Sequence, residues 1–171
     1  SELMITLQSP DDHQIVQRDD DNMGVFPVSG STEYTVDLIQ GRYITLETGF
    51  ESEWVSVAVP LSSNFYGSLE VPTGWHRLEF RFMNAETQIA LQSVNPVGVG
   101  EVFIVAGQSN SANSGDAALT PTDSRVSTWG PSGWRFGYDP QPAATDNRGS
   151  PWPVAGDLLG SRYDVPIGFL S

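Results

Sequence analysis

The chain has 171 residues, 21 of them acidic and 8 basic, for a formal net charge of −13 at pH 7. All eight basic residues are arginines, scattered singly along the chain, so the clustered cations that a nucleic-acid backbone or an anionic membrane needs are missing and both partners are excluded. The absence of cysteine excludes disulfides, thiol catalysis and cysteine metal sites, and no apolar run is long enough to span a bilayer.

At 39% hydrophobic and 11% aromatic, the chain is composed like a folded globular protein, and at this length it can bury roughly 70% of its unfolded surface. The opening Ser1-Glu2-Leu3-Met4 has no basic segment followed by an apolar one, so any signal peptide is expected to have been removed before this numbering starts. Fourteen acids against four arginines precede residue 99, a balance of −10, and the remainder carries −3. A lysine-free acidic surface of this kind suits a salt-rich habitat.

From Leu3 to about Pro96 the pattern has period two. Leu3, Ile5 and Leu7 alternate with Met4, Thr6 and Gln8, and Tyr34, Val36 and Leu38 with Glu33, Thr35 and Asp37; Val55, Val57 and Val59 repeat the pattern, and Leu78, Phe80 and Phe82 alternate with Arg77, Glu79 and Arg81. Such alternation predicts half-buried strands. Ser29-Gly30-Ser31, Gln40-Gly41, Asn64, Gly67 and Pro72-Thr73-Gly74 read as turns between them, at the short spacing of sandwiches and small barrels, and no helix is expected. Pro96, Gly98 and Gly100 then break the alternation and place a domain boundary at residues 95–100.

Val102–Ala106 is apolar without alternating, which predicts a parallel strand covered on both faces. Gly107–Gly115 suits a sharp turn and a helix start, residues 116–150 read as a long ordered loop, and Pro153–Tyr163 is the best helix, with Val154, Leu158, Leu159 and Tyr163 near helical spacing. Val165–Leu170 is expected to be a second buried strand.

A buried strand running into Gly107-Gln108-Ser109-Asn110 is an arrangement that lifts a serine hydroxyl above the end of a sheet, where nearby amides can stabilise an oxyanion. The alternative is that Ser109 merely caps a helix and Gln108 is a polar loop residue. Asp19-Asp20-Asp21-Asn22 could offer oxygens to calcium but lacks the glycine and terminal glutamate of a calcium loop, so it reads as a solvated turn. Of two histidines, His76 extends the inward row of Leu78, Phe80 and Phe82 and reads as structural, and His13 reads as solvent-facing.

Glu101-Val102-Phe103-Ile104-Val105-Ala106-Gly107-Gln108-Ser109-Asn110 resembles the first motif of the SGNH (GDSL-like) hydrolases, in the form found in sialate O-acetylesterase-like and related carbohydrate esterases. Gly149-Ser150-Pro151-Trp152-Pro153 and Asp164-Val165-Pro166-Ile167-Gly168-Phe169 are similar to the helix and second strand of that branch, and Gln14–Asp19 resembles the opening of its N-terminal β-sandwich. The resemblance implies a β-sandwich accessory domain over residues 1–98. The first part of a three-layer α/β SGNH hydrolase domain, with an incomplete parallel sheet, would then span residues 99–171.

It also implies a secreted or periplasmic bacterial protein, or one held at the cell surface, that removes O-acetyl groups from a carbohydrate without metal or cofactor. Ser109 takes the nucleophile's place, and its backbone N–H would donate to the oxyanion beside Gly107, Gln108 and Asn110. Arg148, Gly149, Ser150, Trp152 and Trp134 are candidates for contacting the sugar, which aromatic rings can stack on and arginines can pair with through a carboxylate. Trp129, Phe136, Tyr138 and Arg135 belong to the same stretch.

The family's base lies in an Asp-x-x-His motif near the end of its domain, and this sequence contains none. A serine without a base is a weak nucleophile. The expectation is therefore an incomplete hydrolase whose remainder, with the Asp and His, belongs to a second polypeptide left by a nick, or was removed by truncation. The competing expectation is a carbohydrate-binding or adhesive module whose hydrolase half is degenerate.

Overall fold

The computed structural model describes residues 4–142 and 145–171. It is a β-rich fold of two sheets and one α-helix. The strands are β1 (Ile5–Ser9), β2 (Ile15–Gln17), β3 (Met23–Thr32), β4 (Leu38–Thr45), β5 (Val55–Ala58), β6 (Asn64–Pro72), β7 (Gly74–Asn84), β8 (Thr87–Ile104), β9 (Val126–Gly130), β10 (Gly133–Phe136) and β11 (Ile167–Leu170). The helix α1 covers Trp152–Tyr163.

Strands β1, β3 and β6 form a three-stranded antiparallel sheet, while the larger sheet runs β10-β9-β11-β8-β7-β4-β5. Phe26 and Val28 on the first and Leu78, Phe80 and Phe82 on the second bury fully in one shared core. The rows at Ile5 and at Leu78, Phe80 and Phe82 mark inner faces, as pleating requires, but the row at Val55, Val57 and Val59 does not: Val55 and Val59 are exposed, Val59 lies beyond β5, and Ala58 is the residue that buries. Leu3 lies outside the described residues. The row at Tyr34 and Val36 is not a strand: residues 33–37 connect β3 to β4, which begins only at Leu38.

Several expected turns lie inside strands. Ser29-Gly30-Ser31 is in β3, Gln40-Gly41 in β4 and Gly67 in β6. At Gly30 a Cβ would stand 2.0 Å from the carbonyl oxygen of Thr6 and 2.7 Å from the ring of Phe65. The glycine serves close approach between strand and core rather than chain reversal. Pro72-Thr73-Gly74 does turn the chain between β6 and β7.

The expected boundary at residues 95–100 is crossed by β8 without interruption. Up to Val99 this strand pairs antiparallel with β7, and from Glu101 it pairs parallel with β11. One long strand therefore carries both the antiparallel and the parallel pairing. Strand β11 lies between β8 and β9, parallel to both, and Ile167 and Phe169 are buried there with Val126 and Val165.

Residues 116–150 are not a single loop, because β9 and β10 form an antiparallel hairpin with Trp129 opposite Trp134. Gly130-Pro131-Ser132-Gly133 supplies the turn, and the flanking aromatics are the cross-strand pairs that stabilise hairpins.

Helix α1 forms where its spacing places it, but with a different face inward. Val154, Leu158 and Tyr163 are exposed, and Pro153, Gly156 and Gly160 are buried. Gly156 lies against Val126 and Phe169, so small residues let the helix backbone approach the sheet closely.

Candidate functional site

Strand β8 is tied to the N-terminal segment just before it reaches the motif. Strand β2 pairs with Gly98–Gly100, Arg18 Nε donates to Glu101 Oε1 at 2.7 Å and Gln17 Nε2 donates to Glu101 Oε2 at 2.8 Å. Gln17 Oε1 accepts the N–H of Val102 at 2.9 Å. The stretches 14–19 and 101–110, far apart in sequence, thus meet in space. Burial pushes the Glu101 carboxyl up, but the hydrogen bonds from Gln17 and Arg18 and the charge of Arg18 outweigh it and hold the group below its usual value.

Val102–Ile104 pairs parallel with β11 as expected, but it is not covered on both faces: Ile104 is 81% exposed. Residues of β8 alternate their backbone groups between edges, with Glu101 and Val105 donating to β11 and Gly98 donating to the β2 side. Beyond Gly100 no strand among the described residues pairs on that second edge.

The turn that follows is sharp. Gly107 has φ +152°, Gln108 is extended, and Ser109 opens a four-residue 3-10 turn, Ser109–Ala112, with φ +59°. A left-handed serine costs about 1–2 kcal/mol relative to glycine, so the surrounding contacts must impose it. The cap position belongs to Gln108 and carries no side-chain cap bond, so Ser109 is not a helix cap. The turn ends at Asn113, also left-handed, whose N–H donates to the carbonyl of Ser109.

Beneath the turn lies a buried polar network that sequence reasoning missed. Asn113 Nδ2 donates to the Gln141 carbonyl at 3.0 Å, and Asn113 Oδ1 accepts the Gln141 N–H at 2.8 Å. Thr128 Oγ1 donates to Gln141 Oε1 at 2.8 Å, and Gln141 Nε2 donates to Asp139 Oδ1 at 3.1 Å. Asp139 also accepts the N–H groups of Leu119 and Ser150 and the hydroxyl of Ser150. Buried polar groups persist only when paired, and this network pairs nearly all of its own. A left-handed Asn beside Ser114-Gly115 was the one local signal available.

Gly107, Gln108 and Ser109 line an open cleft of about 390 Å³ with Ser111, Ser114 and Asp146. The Ser114 hydroxyl bonds Asp146 Oδ2. Asn110 instead borders a separate depression with Gly149 and Ser150. Of the candidate sugar contacts, Ser150 is buried on Asp139, and Gly149 forms a backbone bridge with Gly115 and lies so near the carbonyl of Ala117 that a Cβ would stand 1.8 Å away. Trp152 packs on Phe169 while its Nε1 donates to the Ser111 carbonyl at 3.2 Å. Arg148 donates to the Ser114 carbonyl at 3.1 Å. These residues brace the turn from outside the cleft.

Trp134 lies across the hairpin from the half-exposed Trp129 and borders a different depression with Arg135 and Tyr138. Arg135 stacks 4.0 Å from the Tyr138 ring centre and donates to the carbonyls of Phe136, Tyr138 and Pro140.

Neither histidine lines the cleft. His76 is buried; Nε2 lies 2.8 Å from the Pro72 carbonyl and Nδ1 3.2 Å from the Thr45 hydroxyl. The carbonyl can only accept, so Nε2 carries the proton and Nδ1 accepts from Thr45. Burial lowers its pKa more than the Pro72 bond raises it. His13 is half-buried rather than solvent-facing, and its Nδ1 is buried and unpaired among the described residues. Asp19 Oδ1 accepts the N–H groups of Asp21 and Met23, closing a local turn. No helix among the described residues is long and apolar enough to cross a membrane. No protein-family model matches the chain, and no curated protein matches it at a significant level.

Proposed function

We propose that Ser109 is the nucleophile of a secreted or periplasmic serine esterase that removes O-acetyl groups from a carbohydrate. In this reading the chain supplies an accessory β-sandwich and the nucleophile half of an SGNH-type α/β domain. The observation that carries it is the conformation of Ser109: a non-glycine residue held at φ +59°, where a parallel strand ends, on the wall of an open cleft. Strain of that kind concentrates at functional positions. The likeness of residues 101–110 to the SGNH first motif supports the acyl-transfer chemistry.

The Ser109 oxygen would attack the acetyl carbonyl while its proton passes to a base. The acyl C–O bond to the sugar then breaks, the sugar oxygen takes the proton, and water releases acetate from the acyl-serine. Since neither His13 nor His76 lines the cleft, the base would come from the remainder of the hydrolase domain, on a second polypeptide left by a nick or on a stretch removed by truncation. The open edge of β8 beside the exposed Ile104 offers such a polypeptide a strand-pairing site adjacent to the turn.

The test is acetate release from acetylated carbohydrates by the assembled protein, with peptide mapping after treatment with a fluorophosphonate probe. Ser109 is expected to carry the label, and Ser109→Ala to lose it together with at least about 10³-fold of kcat. A label that survives Ser109→Ala overturns the assignment. A sample sizing at only 18.6 kDa while still turning over substrate overturns the second polypeptide. That neither His13 nor His76 lines the cleft also favours a second reading, a carbohydrate-binding module, which is selected by sugar binding without acetate release.

A further inference from the structure

We infer that the carbohydrate taken at the Ser109 cleft is uncharged, and that Asp146 discriminates against sugars bearing a carboxylate. The inference rests on the esterase reading above and deepens it. Besides Ser109, the cleft presents the hydroxyl residues Ser111, Ser114, Thr145 and Ser171 and the amide of Gln108, groups that exchange hydrogen bonds with sugar hydroxyls. Among the described residues the one charged side chain lining it is Asp146. Ser114 holds Oδ2 of that carboxylate, and Oδ1 has no hydrogen-bond donor among the described residues, so it is available to a substrate hydroxyl.

The cations that could pair with a substrate carboxylate are engaged elsewhere. Arg135 is spent on three backbone carbonyls and the ring of Tyr138, and its side chain borders the neighbouring depression. Arg148 donates to the outer carbonyl of Ser114 and does not line the cleft. Arg125 is paired with Asp123 and Asp164. A carboxylate placed in the cleft would therefore meet the carboxylate of Asp146 with no offsetting cation among the described lining residues, whereas a neutral polyol meets no such repulsion.

The experiment compares kcat/KM of the assembled protein on two monoacetylated methyl glycosides that differ only in C6, one a primary alcohol and the other a uronic acid. The neutral substrate is expected to be favoured at least about tenfold at low salt, the gap narrowing as added salt screens the repulsion. Asp146→Asn is expected to narrow it as well, mainly through a gain on the uronic acid. Equal or better turnover of the uronic acid by the wild type overturns the inference while leaving the esterase reading intact. A gap indifferent to both salt and Asp146→Asn does the same, and the salt series decides alone if the variant does not fold. Acetate release from neither substrate overturns the esterase reading and the inference with it.

Discussion

Ser150 is bound to Asp139 twice, its hydroxyl donating to Oδ1 at 2.5 Å and its amide to Oδ2 at 2.8 Å, so one buried carboxylate joins the entrance of helix α1 to the loop under Ser109. Asp139 also receives Gln141 Nε2 and the amide of Leu119. The segments that carry Leu119, Gln141 and Ser150 are thereby tied to one carboxylate, and Gln141 joins them to Asn113 at the end of the Ser109 turn.

Asp139→Ala leaves the buried hydroxyl and amide of Ser150 without this acceptor and takes one partner from Gln141 Nε2 and from the Leu119 N–H, and is expected to cost at least about 3 kcal/mol. Ser150→Ala removes one donor and leaves the amide bond in place, so about 1 kcal/mol is expected. Urea denaturation of both variants checks the order, and equal losses would mean that Asp139 is not the hub.

Gly156→Ala tests how α1 seats on the sheet. Alanine raises intrinsic helix stability by up to about 1 kcal/mol. Its Cβ would stand 2.6 Å from Val126 Cγ1 and 3.2 Å from Phe169 Cε2, both on buried side chains. Overpacking there is expected to win, giving a net loss of about 1–2 kcal/mol, read as a lower Tm. A gain in Tm would show that the helix shifts freely.

Ser109→Gly separates strain from function. Glycine adopts φ +59° without a Cβ penalty, so the variant is expected to be as stable as the parent or up to about 1 kcal/mol more stable, while losing all probe labelling. Calorimetry beside labelling checks both halves. A destabilised Ser109→Gly would mean that the hydroxyl supports the turn and that the backbone does not carry the strain.

Stability is expected to fall as pH drops from about 7 toward 5. Burial holds His76 and His13 below the ordinary imidazole value of 6.5. The unfolded chain therefore binds more protons in that window, and stability is complete above the unfolded pKa and declines beneath it. Glu101 and Asp123, both held below their usual values, add loss of the same sign only in the more acidic range where they protonate. Tm measured across pH 7.5 to 5 should drop, and His76→Gln should flatten the slope. An unchanged slope would place the effect on His13.

The inner faces of the strands were legible in the sequence because a pleat has period two: Leu78, Phe80 and Phe82 are buried where their alternation puts them. The strand expected at Val165–Leu170 forms over Ile167–Leu170 and the helix expected from Pro153 starts at Trp152; these and the turn at Gly107–Asn110 were legible for similar local reasons. Turns, faces and partners were not. Gly30 and Gly41 resemble turn residues until the neighbour that needs their missing side chains is known, and the hairpin 126–136 hides in Pro, Gly and Ser until Trp129 and Trp134 are seen to be opposite each other.

Composition and periodicity by themselves determined a β-rich, cysteine-free acidic chain with a serine at the end of an apolar strand. Only the tertiary structure decided that Glu101 is clasped by Gln17 and Arg18, that Asn113, Asp139 and Gln141 build the floor of the turn, and that Asp146 rather than an arginine faces Ser109's cleft. Those relations join residues up to 84 positions apart through single hydrogen bonds, which leave no period in the sequence, whereas burial on one face repeats at every second residue and does.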